Sequence, residues 1–402
     1  MITHLAVCGL GKLGSPMAVS FARRGLQVIA YDLDREKVDA INRLIPPVQE
    51  PGLAEALYES AGWLKATTDP AEAVRESQAC IFVTPTPSLP DGSFDNQYLL
   101  AAIEKIAPAL QVERRATPYF FIIASTVTPG SCEKILLPAI RRHSDNIRLI
   151  YKPEFIALGT VMHDLAQPDA ILFGGEPEIS LKTVMDVLDL YSRLQRVPGN
   201  FMTWTEAELA KISLNCAITM KISFANQVGM VAMKLGADPR VILDFIGRDS
   251  RIGPKALRFG MPYGGACFPR DNRMFQHVAD KAGIVPYLAT ATDLVNDELF
   301  WFILAQIPAD GDIGILGLSY KAGTPVTEQS AGIALKQELL AKGRTVKAHD
   351  PLLAPDGLAE VLKCRTIIVT TDCPEYRKLL YFEKETFLID PMGVVALQSE
   401  PR

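Results

Sequence analysis

A short run, His4 to Cys8, opens directly into Gly9-Leu10-Gly11-Lys12-Leu13-Gly14, and this junction constrains the fold more than any other stretch. An apolar helix-like run from Ser15 to Arg24 follows, and a second strand-like run, Gln27 to Tyr31, ends at Asp32. Strand, GxGxxG, helix, strand and acid in register predict the first βαβ unit of a dinucleotide-binding Rossmann sheet. The first glycine permits the tight turn, the second lets a pyrophosphate touch the backbone, and the third allows close helix–strand packing. Lys12 and Leu13 complete the turn and are expected at the cofactor with Gly9, Gly11 and Gly14. Asp32 can accept hydrogen bonds from a ribose and repels a 2′-phosphate, which favours NAD over NADP. Arg35 lies close enough to keep NADP open.

Strand-like and helix-like segments go on alternating: strand 80–84, helix 96–109, strand 119–125, helix 130–142, strands near 148–151 and 169–173, and helix 176–193. Such alternation predicts a doubly wound parallel sheet. From about Thr205 to Leu235 the chain carries apolar residues at helical spacing with almost no breakers, which predicts one long helix. Further helical segments run to about residue 306. A long helix that is apolar on more than one face often packs against another subunit, so a homodimer through this region is expected, with a higher oligomer open. The last third echoes the first: Ile313 to Leu318 resembles Leu5 to Leu10, Val346 to Asp350 resembles Val28 to Asp32, and Ile367 to Thr371 resembles Ile81 to Pro85. The expected fold class is therefore α/β, with two Rossmann-like doubly wound domains joined by a central helical domain. Their expected bounds are 1–200, 201–300 and 301–402.

At 402 residues the chain suits two or three domains. A net charge of −5 gives no electrostatic case for nucleic acid or an anionic membrane surface. Seven cysteines at scattered positions form neither a disulfide framework nor a metal-ligand pattern, and no metal is expected. The start, Met1 to Val7, has no basic region before its apolar run, and no apolar stretch is long enough to span a bilayer. A cytoplasmic protein is expected.

The chemistry centres on Gly264-Gly265-Ala266-Cys267-Phe268-Pro269-Arg270-Asp271. A free cysteine is most often a small buried apolar residue. Two glycines before it and a carboxylate four residues after it instead suit a nucleophile that a substrate can approach. Lys211 and Asn215 share a face of the predicted long helix; this spacing equally fits a solvated lysine and an ordinary polar residue. Glu154 and the Ser125-Thr126 pair follow predicted strands at the end where α/β sheets bind ligands, although a loop acid is common there.

Taken together, these motifs resemble the UDP-glucose/GDP-mannose dehydrogenase family, the nucleotide-sugar 6-dehydrogenases. The resemblance runs through Gly9 to Gly14, Thr84-Pro85-Thr86-Pro87, Ser125-Thr126-Val127, Pro153-Glu154-Phe155 and Glu208-Leu209-Ala210-Lys211 with Asn215. It continues through Arg251-Ile252-Gly253, Gly264 to Asp271, Gly317 to Lys321, and Asp350-Pro351. It implies a four-electron oxidation of a sugar C6 hydroxyl to a carboxylate with two NAD and one water. UDP-glucose is the expected substrate, with GDP-mannose or a UDP-N-acetylhexosamine open.

By this resemblance Cys267 attacks the C6 aldehyde, Asp271 and Lys211 assist the oxidation, and Glu154 acts as base in hydrolysis. Thr126 helps to hold water or cofactor, and Asn215 positions the sugar. Thr84, Pro85 and Thr86 join the cofactor site. Phe155, Arg258, Tyr263, Gly264 and Lys321 line the nucleotide-sugar pocket, and Arg251 reaches a neighbouring subunit's site. Departures from the family pattern are Lys152, Leu158, Arg270 in place of a lysine, and Glu328 at a position often held by arginine. A hydroxyacid-type dehydrogenase with a single hydride transfer is an alternative that makes no use of Cys267. A protein that only senses NAD or a nucleotide sugar is another.

Overall fold

Eight strands make the first sheet: β1 (His4–Cys8), β2 (Gln27–Tyr31), β3 (Leu64–Thr67), β4 (Ala79–Phe82), β5 (Tyr119–Ile123), β6 (Ile147–Tyr151), β7 (Ile171–Gly175) and β8 (Gly199–Thr203). The computed structural model describes residues 2–110, 117–176, 181–192, 199–379 and 386–395. Sheet order is β3-β2-β1-β4-β5-β6-β7-β8, so the chain reverses direction across the sheet between β3 and β4. The pairs are parallel except β6 with β7, which are antiparallel. Both faces are covered, and the pleat sorts side chains between them. Leu5 and Val7 of β1 enter one core layer with Ile81 and Ile122, whereas Ala6 and Cys8 enter the other with Phe82 and Phe121.

The predicted strands 80–84 and 119–125 end early, at Phe82 and Ile123. Beyond them side-chain bonding replaces the ladder: Thr84 N–H donates to Ser125 Oγ at 2.9 Å, and that hydroxyl donates to Thr84 O at 2.7 Å. The predicted helix 130–142 begins with a wide π-turn, Cys132–Leu136, before regular helix over Leu137–Arg141. Pro138 supplies no N–H to the turn before it, which accounts for the change of register. The predicted helix 176–193 is observed over Leu181–Ser192; residues 177–180 and 193 lie outside the described residues.

The long helix runs from Trp204 to Lys234. By compactness the chain divides within it, into Met1–Lys211 and Ile212–Arg402. In the second unit the helices Pro239–Gly247, Phe268–Lys281 and Tyr287–Leu304 precede a parallel sheet. Its strands are β9 (Ile313–Leu316), β10 (Val346–His349), β11 (Thr366–Val369) and β12 (Phe387–Ile389), in the order β10-β9-β11-β12. Leu243, Phe259, Leu299 and Ile303 from the helical segment share one core with Ile313, Ile315, Leu335 and Ile368. That shared core makes the helices and the second sheet a single compact unit.

Candidate active site

In the first unit the turn after β1 is built around Gly9 and Gly14. Gly9 has φ +105°, and a Cβ there would meet the Val83 carbonyl oxygen at 2.2 Å. A Cβ on Gly14 would meet Gly9 O at 1.8 Å, whereas Gly11 faces open space. The junction is thus locked below and bare above, which suits phosphates approaching a helix N-terminus. Asp32 is half-buried; its Oδ2 accepts from Leu10 N–H at 2.6 Å and its Oδ1 from Asp34 N–H at 2.9 Å. Lys12 is exposed and Leu13 half-buried, and Arg35 is an exposed residue opening the helix Arg35–Asn42. Thr84 Oγ1 is buried with no hydrogen-bond partner among the described residues. Next to it Pro85 is exposed, while Thr86 is tied to Thr126 O at 2.7 Å. An open glycine turn, a half-exposed acid and an orphaned hydroxyl fit a bound dinucleotide.

The same unit gathers Lys152, Glu154, Phe155 and Lys211. Lys211 Nζ donates to Glu154 O at 2.7 Å and lies 4.6 Å from the centroid of the Phe155 ring. Lys152 Nζ lies 2.5 Å from Glu154 Oε2, with both residues buried. Glu208, one turn before Lys211, takes the Gly130 N–H at 2.5 Å and the Cys132 N–H at 2.8 Å, fastening the loop that follows Thr126. Burial raises the Glu208 carboxyl above its usual range, against these two N–H groups, which pull it down. Thr126 itself is half-buried. Sequence reasoning gave Lys152 and Glu208 no role. The signal for Glu208 was its place at the head of the Glu208-Leu209-Ala210-Lys211 motif.

In the second unit Asn215 Nδ2 donates to Asp271 Oδ2 at 2.6 Å, with both residues buried. Arg270 Nε is 3.8 Å from Asp271 Oδ1. Cys267 is exposed and caps the helix Phe268–Lys281, its carbonyl accepting Asp271 N–H at 2.9 Å. A helix N-terminus favours negative charge on a thiol placed there. Cys216 contrasts with it: burial first, then Asp271 and Asp293, pushes its thiol up to about 12.

The glycines before Cys267 rest on the segment after β9. Gly265 N–H donates to Glu328 O at 3.0 Å, and a Cβ on Gly265 would lie 2.5 Å from the Tyr320 ring. A Cβ on Gly264 would lie 2.0 Å from Gln329 O. Glu328 therefore holds this loop through its backbone, and its side chain is exposed.

Other predicted residues of this unit are placed differently from one another. Tyr263 is buried, its hydroxyl donating to Asp293 at 2.6 Å and its N–H to Asn296 Oδ1 at 2.8 Å, so its hydroxyl is committed within the fold. Burial and the Asp293 acceptor raise that hydroxyl far above the usual tyrosine range. Arg251 is exposed and makes a two-pronged contact with Asp249, at 2.7 and 3.0 Å. Arg258 is exposed, and Lys321 is half-buried in the turn after β9.

Family models describe three consecutive segments of the chain. Residues 3–195 match the NAD binding domain of the UDP-glucose/GDP-mannose dehydrogenase family, 205–298 its central domain and 314–396 its UDP binding domain. The chain belongs to this family. It is a family of nucleotide-sugar 6-dehydrogenases, and its cofactor is NAD. The UDP-glucose 6-dehydrogenase AglM of Haloferax volcanii is 33% identical over 87% of this chain and 83% of its own. A GDP-mannose 6-dehydrogenase of Pseudomonas putida is 28% identical over 86% of this chain and 80% of its own. The structure of a UDP-glucose dehydrogenase from Pyrobaculum islandicum superposes with a TM-score of 0.90 at 29% identity, covering 98% of this chain and 95% of that one. Among the described residues no helix is long and apolar enough to cross a membrane.

Proposed function

We propose that the protein oxidises the C6 hydroxyl of a nucleotide sugar to a carboxylate, converting UDP-glucose to UDP-glucuronate through a thioester on Cys267. The observation that carries this reading is the exposed Cys267 thiol at the head of the helix that also bears Asp271. One sugar–CH2OH, two NAD+ and one water become sugar–COO−, two NADH and three protons. NAD, when bound, accepts a hydride from C6 in each of the two oxidations. Gly9, Gly11, Lys12, Leu13, Gly14, Asp32, Arg35, Thr84, Pro85, Thr86 and Thr126 hold it.

In the first oxidation Lys211 and Asp271 draw off the hydroxyl proton and stabilise the oxyanion. The Cys267 thiolate then forms a bond to the aldehyde carbon, and the carbonyl oxygen takes a proton to give a thiohemiacetal. Loss of the second hydride and of the hydroxyl proton leaves a thioester. Glu154 takes a proton from water, whose oxygen attacks the thioester carbon; the C–S bond breaks and its electron pair returns to sulfur. Thr126 helps to hold that water. A bound thiohemiacetal keeps a reactive aldehyde from escaping between the two steps.

Binding of the nucleotide sugar is assigned to Glu154, Phe155, Lys211, Asn215, Arg258, Tyr263, Gly264 and Lys321, with Arg251 supplied by a second copy. The three functional domains of this reading are 1–200, 201–300 and 301–402. Met220, Phe224 and Val231 form one exposed apolar stripe on the long helix, and Phe245 is 76% exposed nearby in sequence; a second copy of the chain covers them. A reactive thiol among free cysteines suits a reducing cytoplasm.

UDP-glucose is supported by what the Haloferax and Pyrobaculum proteins are named for, and GDP-mannose by the Pseudomonas relative. The test is a panel of nucleotide sugars with NAD, reading NADH formed per sugar consumed. Two per UDP-glucose is expected. One would leave a single-hydride dehydrogenase, and none, despite tight binding, a sensor.

A further inference from the structure

Lys152, at the end of β6, has no part in the reaction as described so far. It is 2% exposed, and ammonium groups are almost never that buried unless paired. Its Nζ lies 2.5 Å from Glu154 Oε2 and 4.6 Å from the centroid of the Tyr191 ring. Phe21 and Phe173 meet the same ring edge-on, with centroids at 5.5 and 5.4 Å, so the ring that faces the ammonium is itself held in the aromatic core. Burial pushes the Lys152 ammonium down from its ordinary value, and the Glu154 carboxylate pulls it part of the way back.

Glu154 is therefore held at one oxygen only. Its Oε2 is taken by Lys152, while Oε1 is buried with no hydrogen-bond partner among the described residues. Among the described residues, charged and titratable groups face Glu154 from three elements. They are Lys152 at the end of β6, Tyr191 on the helix Leu181–Ser192, and Lys211 on the long helix. The Tyr191 hydroxyl is raised by burial and then by the Glu154 charge, so it stays a neutral phenol and supplies no countercharge. The Lys211 ammonium donates to the Glu154 carbonyl oxygen, leaving Lys152 as the cation on the carboxylate. A buried carboxylate without such a cation favours its protonated form, and a protonated acid cannot take a proton from water.

We propose that Lys152 is a positioning residue whose ammonium fixes Glu154 Oε2 and keeps the carboxylate charged, leaving Oε1 to receive the proton of the attacking water. This rests on Glu154 being the base of thioester hydrolysis. Lys152→Met keeps the length of the side chain and removes its charge. In that variant the acid limb of kcat for carboxylate formation moves upward by about 1–3 pH units. The ratio of kcat at about pH 8 to that at about pH 5 then rises, by about two- to threefold for the smallest of these shifts and by about tenfold or more for the larger ones. Taken within one preparation, this ratio does not depend on the folded fraction, and an unchanged ratio overturns the proposal. In the unsubstituted protein, carbon-13 carboxyl spectra identify Glu154 by the signal lost in Glu154→Gln. That signal should be that of an ionised carboxylate from about pH 6 to about pH 8. A protonated Glu154 in this range overturns the proposal whether or not any variant at 152 folds. An ionised Glu154 in a protein that turns over no nucleotide sugar supports the Lys152 contact and refutes the reaction assigned to it.

Discussion

The junction after β1 and the junction after β9 share a frame almost bond for bond. Gly9 N–H donates to Tyr31 O, and Gly317 N–H to His349 O, both at 2.8 Å. Leu10 N–H donates to Asp32 and Leu318 N–H to Asp350, each acid following the neighbouring strand. A Cβ on Gly14 would strike Gly9 O at 1.8 Å, and one on Gly332 would strike Gly317 O at 2.2 Å. The filling differs. Gly14 follows Gly9 by five residues, whereas Gly332 follows Gly317 by fifteen, and the added segment carries Tyr320, Glu328 and Gln329, which support the Cys267 loop. Asp32 has two backbone donors and stays half-exposed. Asp350 is 1% exposed and accepts five hydrogen bonds, from the N–H groups of Leu318, Ser319, Leu352 and Leu353 and from Ser319 Oγ. One acid can still meet a ligand hydroxyl; the other is consumed in holding its own turn.

The most severe test of this division is Cys267→Ser. If the second unit's extended junction serves to present a sulfur, net formation of carboxylate should fall about a thousandfold or more. NAD binding, measured by fluorescence, should be retained, because the crease after β1 is untouched. Full turnover in Cys267→Ser would reduce the long insertion to packing. Next in size is Asp350→Ala, which leaves the buried N–H groups of Leu318 and Ser319 and the part-buried ones of Leu352 and Leu353 without their acceptor and should cost about 3 kcal/mol in denaturant unfolding. Its NAD affinity should match that of the unsubstituted protein.

The frame was legible because both junctions write it locally: an apolar run, a glycine, then an acid at the end of the next strand. The echo of Leu5–Leu10 in Ile313–Leu318 is borne out by similar sheet positions, β1 lying between β2 and β4 and β9 between β10 and β11. Three strands escaped detection, Leu64–Thr67, Gly199–Thr203 and Phe387–Ile389. All three lie at sheet edges; two are of mixed polarity, and the third has only three residues, too few for a periodic signal. Of the site, the residue types and their order could be read, but not the state of each atom. Nothing in Asp350-Pro351 distinguishes a saturated acid from an available one. Lys152 likewise appeared only as a departure from the family pattern, since its pairing with Glu154 depends on burial by Tyr191.

A smaller effect is expected of Asp32→Ala. Loss of a hydrogen bond to a charged group corresponds to about 1.5–3 kcal/mol, so NAD affinity should drop about tenfold or more by titration. NADP should suffer less, and stability should fall by less than in Asp350→Ala, because two N–H groups rather than four lose their acceptor. The opposite ranking of NAD and NADP would overturn the cofactor role of this acid.

The finest effect is expected in the response of the second junction to acid. Burial pushes the Asp350 carboxyl up, but the N–H groups of Ser319, Leu318 and Leu352 and the Ser319 hydroxyl outweigh it and hold the group below its ordinary value. A carboxyl depressed in the folded state stabilises fully above its unfolded value of about 3.9, and this contribution is lost as pH falls through the lower folded value. The difference in stability between the unsubstituted protein and Asp350→Asn should therefore be constant near neutrality and narrow below about pH 4. A gap that widens on acidification would mean that Asp350 is not held as an anion, and the contrast with Asp32 would lose its physical basis.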